Sequence, residues 1–220
     1  MNKFIIEKND FLSRNIPAFY NKDYIGYGRP NNPDFINVLK NTYNSYSVDI
    51  LKNAINELEK VLNDIFDIAY THAEFNFDWP LTVCIIPRAK NNYSKNQLLF
   101  HSTIQKFVRC AVDDLDKAQY HEILDDGTDY IIRHSTTKTT HLPTNTPNYY
   151  NDGDSPYIGI TKTTCHISEK VKGKSILLID DIYTKNVNID EDAIQALLDN
   201  GAKSVLFYAV ARTIANRTNT

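Results

Sequence analysis

Cysteine is scarce. Cys84, Cys110 and Cys165 are the only three in 220 residues, and no two stand at CxxC spacing. That argues against a disulfide framework or a zinc ribbon and fits a reducing cytoplasm. No stretch approaches the roughly 20 apolar residues of a membrane span, and the apolar run within MNKFIIEKNDF is too short for a signal peptide. G-x-x-x-x-G-K, G-x-G-x-x-G and G-x-S-x-G are all missing, so neither a P-loop nor a dinucleotide fingerprint nor a hydrolase elbow is present. The histidines, His72, His101, His121, His134, His141 and His166, show no metal-ligand spacing. Net charge is −3, so bulk charge does not call for nucleic acid, although a local basic patch stays open. What remains is ordinary: 42% hydrophobic and 23% charged residues, enough for one globular domain with a sizeable core.

Residues 1–46 read as an irregular arm, broken by Gly26, Gly28, Pro30 and Pro33. A helix follows over 47–70, with Ser47 as its cap and Leu51, Ala54, Leu58, Leu62 and Ile65 at helical spacing. Phe75, Phe77 and Trp79 alternate as a packing ridge would. Leu81–Ile86 is a short continuous apolar run, which is what a central parallel strand needs when both its faces are covered. After a polar loop, a second helix is expected over about 96–115. Short strands are expected at Tyr130–Arg133 and Tyr157–Ile160, with the Thr- and Asn-rich Ser135–Ser155 between them as an exposed loop. The end of the chain is the clearest part: strand Ser175–Ile179, loop Asp180–Asn188, helix Ile189–Asn200 stopped by Gly201, and strand Val205–Val210. This βαβ unit should cross over right-handed. The fold expected is α/β, a mainly parallel central sheet flanked by helices. Residues 1–75 form an N-terminal arm or hood and 76–220 the core, together one compact unit.

The chemistry concentrates where strand 175–179 ends, in ILLIDDIYTKNVNIDEDA. Ligands of α/β sheets bind beyond the carboxyl ends of the strands. A helix starting there turns free N–H groups and the positive end of its dipole toward the site, which favours an anion. Thr184, Lys185 and Asn188 add donors for phosphate oxygens. Asp180 and Asp181 can accept hydrogen bonds from vicinal hydroxyls and hold Mg²⁺ through water. Acids at one end and anion-binding groups at the other suit a sugar phosphate. The plainer alternative is that the two acids and Thr184 merely cap neighbouring turns.

This run resembles the PRPP-binding signature of type I phosphoribosyltransferases: four apolar residues, two acids, two apolar residues, then Thr-Thr-Gly-x-Thr. Leu177–Ile179, Asp180, Asp181, Ile182, Tyr183 and Thr184 match; Lys185, Asn186 and Asn188 replace the second Thr, the Gly and the last Thr. The resemblance implies that Asp180 and Asp181 hold the ribose hydroxyls, that Thr184, Lys185, Asn186, Val187 and Asn188 surround the 5-phosphate, and that Mg²⁺ accompanies PRPP. A homodimer is also implied. Asn is the best substitute for Gly in the left-handed region, so the loop shape should survive.

A second loop follows the strand 83–86: Pro87-Arg88-Ala89-Lys90. Two cations beyond a strand end suit a diphosphate, so Arg88 and Lys90 join Asp180 and Asp181 as catalytic candidates. The plainer alternative is a pair of solvated surface charges. The segment Ile86–Leu99 is similar to the matching part of ComF-type competence proteins, and Arg133–Leu142 is similar to their Thr-rich loop, although their paired-cysteine zinc ribbon is missing. Two functions follow from the resemblance. One is a transferase moving the phosphoribosyl group of PRPP to a base or amine. The other is a regulatory or accessory protein of the ComF-like, DNA-processing-related kind that binds PRPP or a nucleotide monophosphate without turnover.

Overall fold

The computed structural model describes residues 1–26, 28–43, 45–71, 80–113, 123–140 and 151–214. Strands β1 (Asn2–Ile6), β2 (Ile16–Tyr24), β3 (Leu81–Ile85), β4 (Leu124–Asp126), β7 (Ser175–Tyr183) and β8 (Ser204–Thr213) form one sheet in the order β1-β2-β8-β7-β3-β4. The β2–β8, β8–β7, β7–β3 and β3–β4 pairs are parallel, and β1 joins β2 antiparallel. A separate antiparallel pair is made by β5 (Ile131–Arg133) and β6 (Cys165–Ile167). The expected architecture, a mainly parallel sheet with helices on its faces, is the one observed.

The central strands are apolar throughout because alternate residues serve two cores. On one face Leu81, Val83, Ile85, Leu177, Ile179 and Leu206 pack under helices α1 (Phe35–Leu39), α2 (Val48–Leu62), α3 (Asp64–Thr71) and α4 (Leu99–Asp113). On the other, Ile176, Leu178, Val205 and Phe207 meet Ala193, Ile194 and Leu197 of helix α6 (Ile189–Asp199). Each such side chain contributes about 1.5–3 kcal/mol relative to exposure. Ser47 does cap α2: its side chain accepts from Ile50 N–H.

The structure changes the expected map in several places. Residues 1–24 are no arm, since β1 and β2 extend the main sheet. Their pattern was hidden by Pro17 and by the polar run Asn21–Asp23, which is tolerated because β8 supplies the partner strand, Lys22 lying opposite Ala211. The helix expected over 47–70 breaks at Asn63 into α2 and α3. The helix after β3 begins as a 3₁₀ turn at Lys95–Leu98, closed by a capping box between Ser94 and Gln97. Residues 157–160 are not a strand. Gly159 takes φ 91° and starts the short helix α5 (Ile160–Thr164). The Phe75–Trp79 ridge, His72, His121 and His141, and the 141–150 part of the exposed loop lie outside the described residues. Among the described residues no helix is long and apolar enough to cross a membrane.

Candidate functional site

Because β2, β8, β7 and β3 are parallel, their carboxyl ends share one edge of the sheet. Two cavities lie along it. The first, about 360 Å³, sits over β3 and β7 and is lined by the 87–91 loop, Arg133, Lys138, Asp180, Asp181 and Asp190. The second, about 640 Å³, sits over β2 and β8 and is walled by Lys40, Asn41, Thr42, Tyr43, Ser45 and Tyr46. Lys40, Arg88, Thr139, Ile182 and Thr184 border both.

Asp180 and Asp181 do not lie in a loop, as their sequence suggested. They are strand residues: Asp180 stands opposite Ala209, and the pairing with β8 continues to Tyr183. Asp181 is buried and forms an ion pair with the Lys40 ammonium, which comes from the end of α1. Burial, then the neighbouring Asp181 charge, pushes the Asp180 carboxyl up to about 7, against the pull of Lys40. Asp190, buried in the first turn of α6, hydrogen-bonds Asp180 and is raised well above the carboxylate range, first by its burial and then by the charge of Asp180. Two buried carboxyls so close disfavour being charged together. The Oδ1 of Asp190 has no hydrogen-bond partner among the described residues.

The start of α6 is not open to an anion in the way expected. Asp190, Glu191 and Asp192 fill its first turn and are all buried, so carboxyl groups already answer the helix dipole. Asp192 accepts from Gly159 N–H (2.5 Å) and Thr161 N–H (2.7 Å), fastening α5 to α6. Glu191 accepts from the Tyr183 hydroxyl at 3.0 Å. In the loop, Asn186 and Asn188 adopt φ of 74° and 64°, the left-handed region that asparagine tolerates. Thr184 and Val187 border the first cavity. Lys185, Asn186 and Asn188 border neither. The Lys185 ammonium pairs with exposed Glu7 at 3.1 Å, and Asn188 accepts from Asn9 Nδ2 at 3.0 Å while donating to the Asn186 carbonyl. The Thr184 and Thr213 hydroxyls hydrogen-bond each other at 2.6 Å.

Across the cavity, Arg88 and Lys90 are not the solvated pair of the plainer reading. Lys90 is almost buried and donates to the Thr137 carbonyl (2.8 Å), the Asp152 carbonyl (2.7 Å) and the Asp152 carboxylate (2.8 Å). All three ammonium hydrogens are thereby used, and Lys90 pins residues 137 and 152 to the loop. Arg88 donates to the Gln97 carbonyl and the Thr42 hydroxyl and lies 3.7 Å over the Tyr93 ring. Arg133 donates to the Arg88 carbonyl and to Thr164, both at 2.7 Å. Lys138 is exposed and lines the cavity.

Three residues escaped the sequence. Lys40 and Asn41 stand in a polar stretch with no motif, and Asp190 looked like a helix opener. Asn41 Oδ1 accepts from the N–H groups of Tyr43 (3.1 Å) and Ser45 (3.3 Å), whereas its buried Nδ2 has no partner among the described residues. As for Mg²⁺, Asp181 is already paired with Lys40, and Asp180 lies against Asp190. Among the described residues no group of three or more acidic, His or Cys side chains could hold a metal.

No family model matches the chain, and no curated protein matches it. Solved structures match it at low overlap. An HPRT carrying an asparagine mutation at an invariant aspartic acid is 11% identical with a TM-score of 0.38, over 74% of this chain and 75% of its own. A hypoxanthine phosphoribosyl transferase of Trypanosoma cruzi and a hypoxanthine phosphoribosyltransferase of Staphylococcus aureus are each 10% identical with TM-scores of 0.35. Each covers 74% of this chain, and 74% and 76% of its own. Overlap of that extent carries no functional conclusion.

Proposed function

We propose that the protein binds a phosphorylated ribose, PRPP or a nucleoside monophosphate, in the first cavity, and acts as a phosphoribosyltransferase on a base or amine. One observation carries this reading. The acid pair at the end of β7 and the loop beyond β3, far apart in sequence, border a single cavity at the carboxyl edge of a parallel sheet. Asp180 and Asp181 would accept hydrogen bonds from the ribose hydroxyls, with Asp181 released from Lys40 as it does so. Lys40 would then be free to face the ligand's phosphate. Arg133 and Lys138, from the opposite wall, would oppose the charge developing on a leaving diphosphate, which is electrostatic and positional catalysis. Mg²⁺, which the resemblance implies, would have to arrive on the diphosphate, and no step is assigned to it.

The engaged state of the cations favours a second reading, binding without turnover. Lys90 is spent on Thr137 and Asp152, and Lys185 on Glu7. Thermal unfolding with PRPP and Mg²⁺, ribose-5-phosphate or AMP tests both. A ligand at a hundredfold excess over its Kd stabilises by about 2.7 kcal/mol. The shift should vanish in Asp180→Asn/Asp181→Asn. Pyrophosphate release with an acceptor would select the transferase; a shift without release selects the binder. No shift with any of the three ligands, or full activity in the double variant, sinks the phosphoribose reading.

A further inference from the structure

β1 ends the main sheet, and among the described residues no strand pairs with its outer side. A strand so placed turns N–H and C=O groups outward, a template for another strand. Its side chains alternate between the two faces. Phe4 and Ile6 join the core that α6 covers. Lys3 lies opposite Phe19 with its ammonium over that ring, on the side of the other core. Ile5 shares the Lys3 side and is 52% exposed, so no helix covers the sheet there. Glu7 follows two residues on, and both Lys3 and Glu7 are exposed. Along the edge this face therefore reads cation, apolar residue, anion.

That order is its own complement when reversed. In an antiparallel pair of copies about a two-fold axis, each residue meets the one equally far beyond the axis. With the axis at Ile5, Lys3 of each copy meets Glu7 of the other, and Ile5 meets Ile5. An axis at Lys3 or Glu7 would oppose like charges, and one at Phe4 or Ile6 would set Ile5 against a charged side chain. Opposite charges and apolar pairs across strands stabilise a ladder, whereas like charges directly opposite weaken it. Glu7 is engaged with Lys185 at 3.1 Å, but the two side chains are 69% and 63% exposed. Such a pair contributes little and exchanges readily. We infer that β1 is the interface of an antiparallel homodimer, in which two six-stranded sheets continue through Ile5 into one. The contact is short, five residues of β1 on each side, which places the dimer among small, reversible interfaces. It does not depend on the phosphoribose reading.

The test is sedimentation equilibrium of the full chain from about 1 µM to about 1 mM, which should show monomer passing to dimer. Ile5→Lys sets two ammonium groups against each other on the axis and should weaken association about tenfold or more. Lys3→Glu alone, or Glu7→Lys alone, turns both symmetric charge pairs repulsive and should weaken it by about as much. Lys3→Glu/Glu7→Lys together restores opposite signs and should return the dissociation constant to within about threefold of wild type. Glu7→Lys also brings an ammonium beside Lys185, but does so in the single and the double variant alike. The replaced side chains are exposed, so every variant should fold as wild type does, which circular dichroism checks. If Ile5→Lys fails to fold, the charge exchange decides. A monomer throughout the range overturns the inference and makes Lys3 a guard against edge pairing. So does a dimer that survives Ile5→Lys, or a double exchange no better than either single one, since association then uses another surface.

Discussion

A loop and a strand end face each other across the first cavity, and they treat charge in opposite ways. The loop after β3 is basic, and its cations are turned into the protein: Lys90 holds Thr137 and Asp152, and Arg88 holds Gln97, Thr42 and the Tyr93 ring. The end of β7 is acidic, and its carboxyls are pressed together, Asp180 against Asp190, with Lys40 brought from a distant segment to offset Asp181. The basic side is arranged for stability, whereas the acidic side stores an unfavourable contact that a ligand or a proton can relieve. Charges adjacent in sequence say what is near a site; the partners each charge finds decide whether it is available there.

The contrast breaks first at Lys90. Lys90→Met keeps the apolar stem and strips the buried Thr137 carbonyl of its donor, so urea unfolding should show a loss of about 1–3 kcal/mol from that hydrogen bond alone. Unchanged stability with lost phosphate binding would make Lys90 a ligand group and erase the difference between the two sides. Next is the acid pair. Asp180 is raised from its ordinary 3.8 to about 7, so the folded state holds the extra proton in that window. Stability should therefore fall as pH rises from about 4 to about 7. Asp190→Asn removes one acid of the pair and should flatten that fall by about 1 kcal/mol; an identical pH profile in variant and wild type would mean that the carboxyls are not coupled. Smallest is Lys185. Its ion pair with Glu7 is exposed on both sides, so Lys185→Ala should change stability by no more than about 0.5 kcal/mol, and ribose-5-phosphate affinity should not move. A severalfold loss of that affinity would place Lys185 in the site after all.

The legible parts of the chain were those whose instructions are local. β3, β7 and β8 read as strands because a run apolar on both faces has few other uses, and α6 reads from its spacing and Gly201. The left-handed Asn186 was foreseeable because few other residues accept φ 74°. The missed features depend on distant partners. β2 carries a proline and three polar residues and becomes a strand through its register with β8. Asp180 and Asp181 looked like loop residues because carboxylates disfavour strands, yet β8 extends the pairing past both. Nothing near Lys40 announces Asp181, and nothing near Asp192 announces the Gly159 and Thr161 amides.

The pairing of β2 with β8 also fixes an order of events. Ala18 lies opposite Phe207, so the first ribbon of the chain cannot find its neighbour until nearly all of the described chain exists. Contacts of such sequence separation close late and slow folding. Until then β2 offers an unpaired edge to any other strand nearby, the condition under which nascent chains associate wrongly. The polar half of that strand, Asn21, Lys22 and Asp23, which disguised it in the sequence, is what makes the waiting edge a poor template for foreign strands.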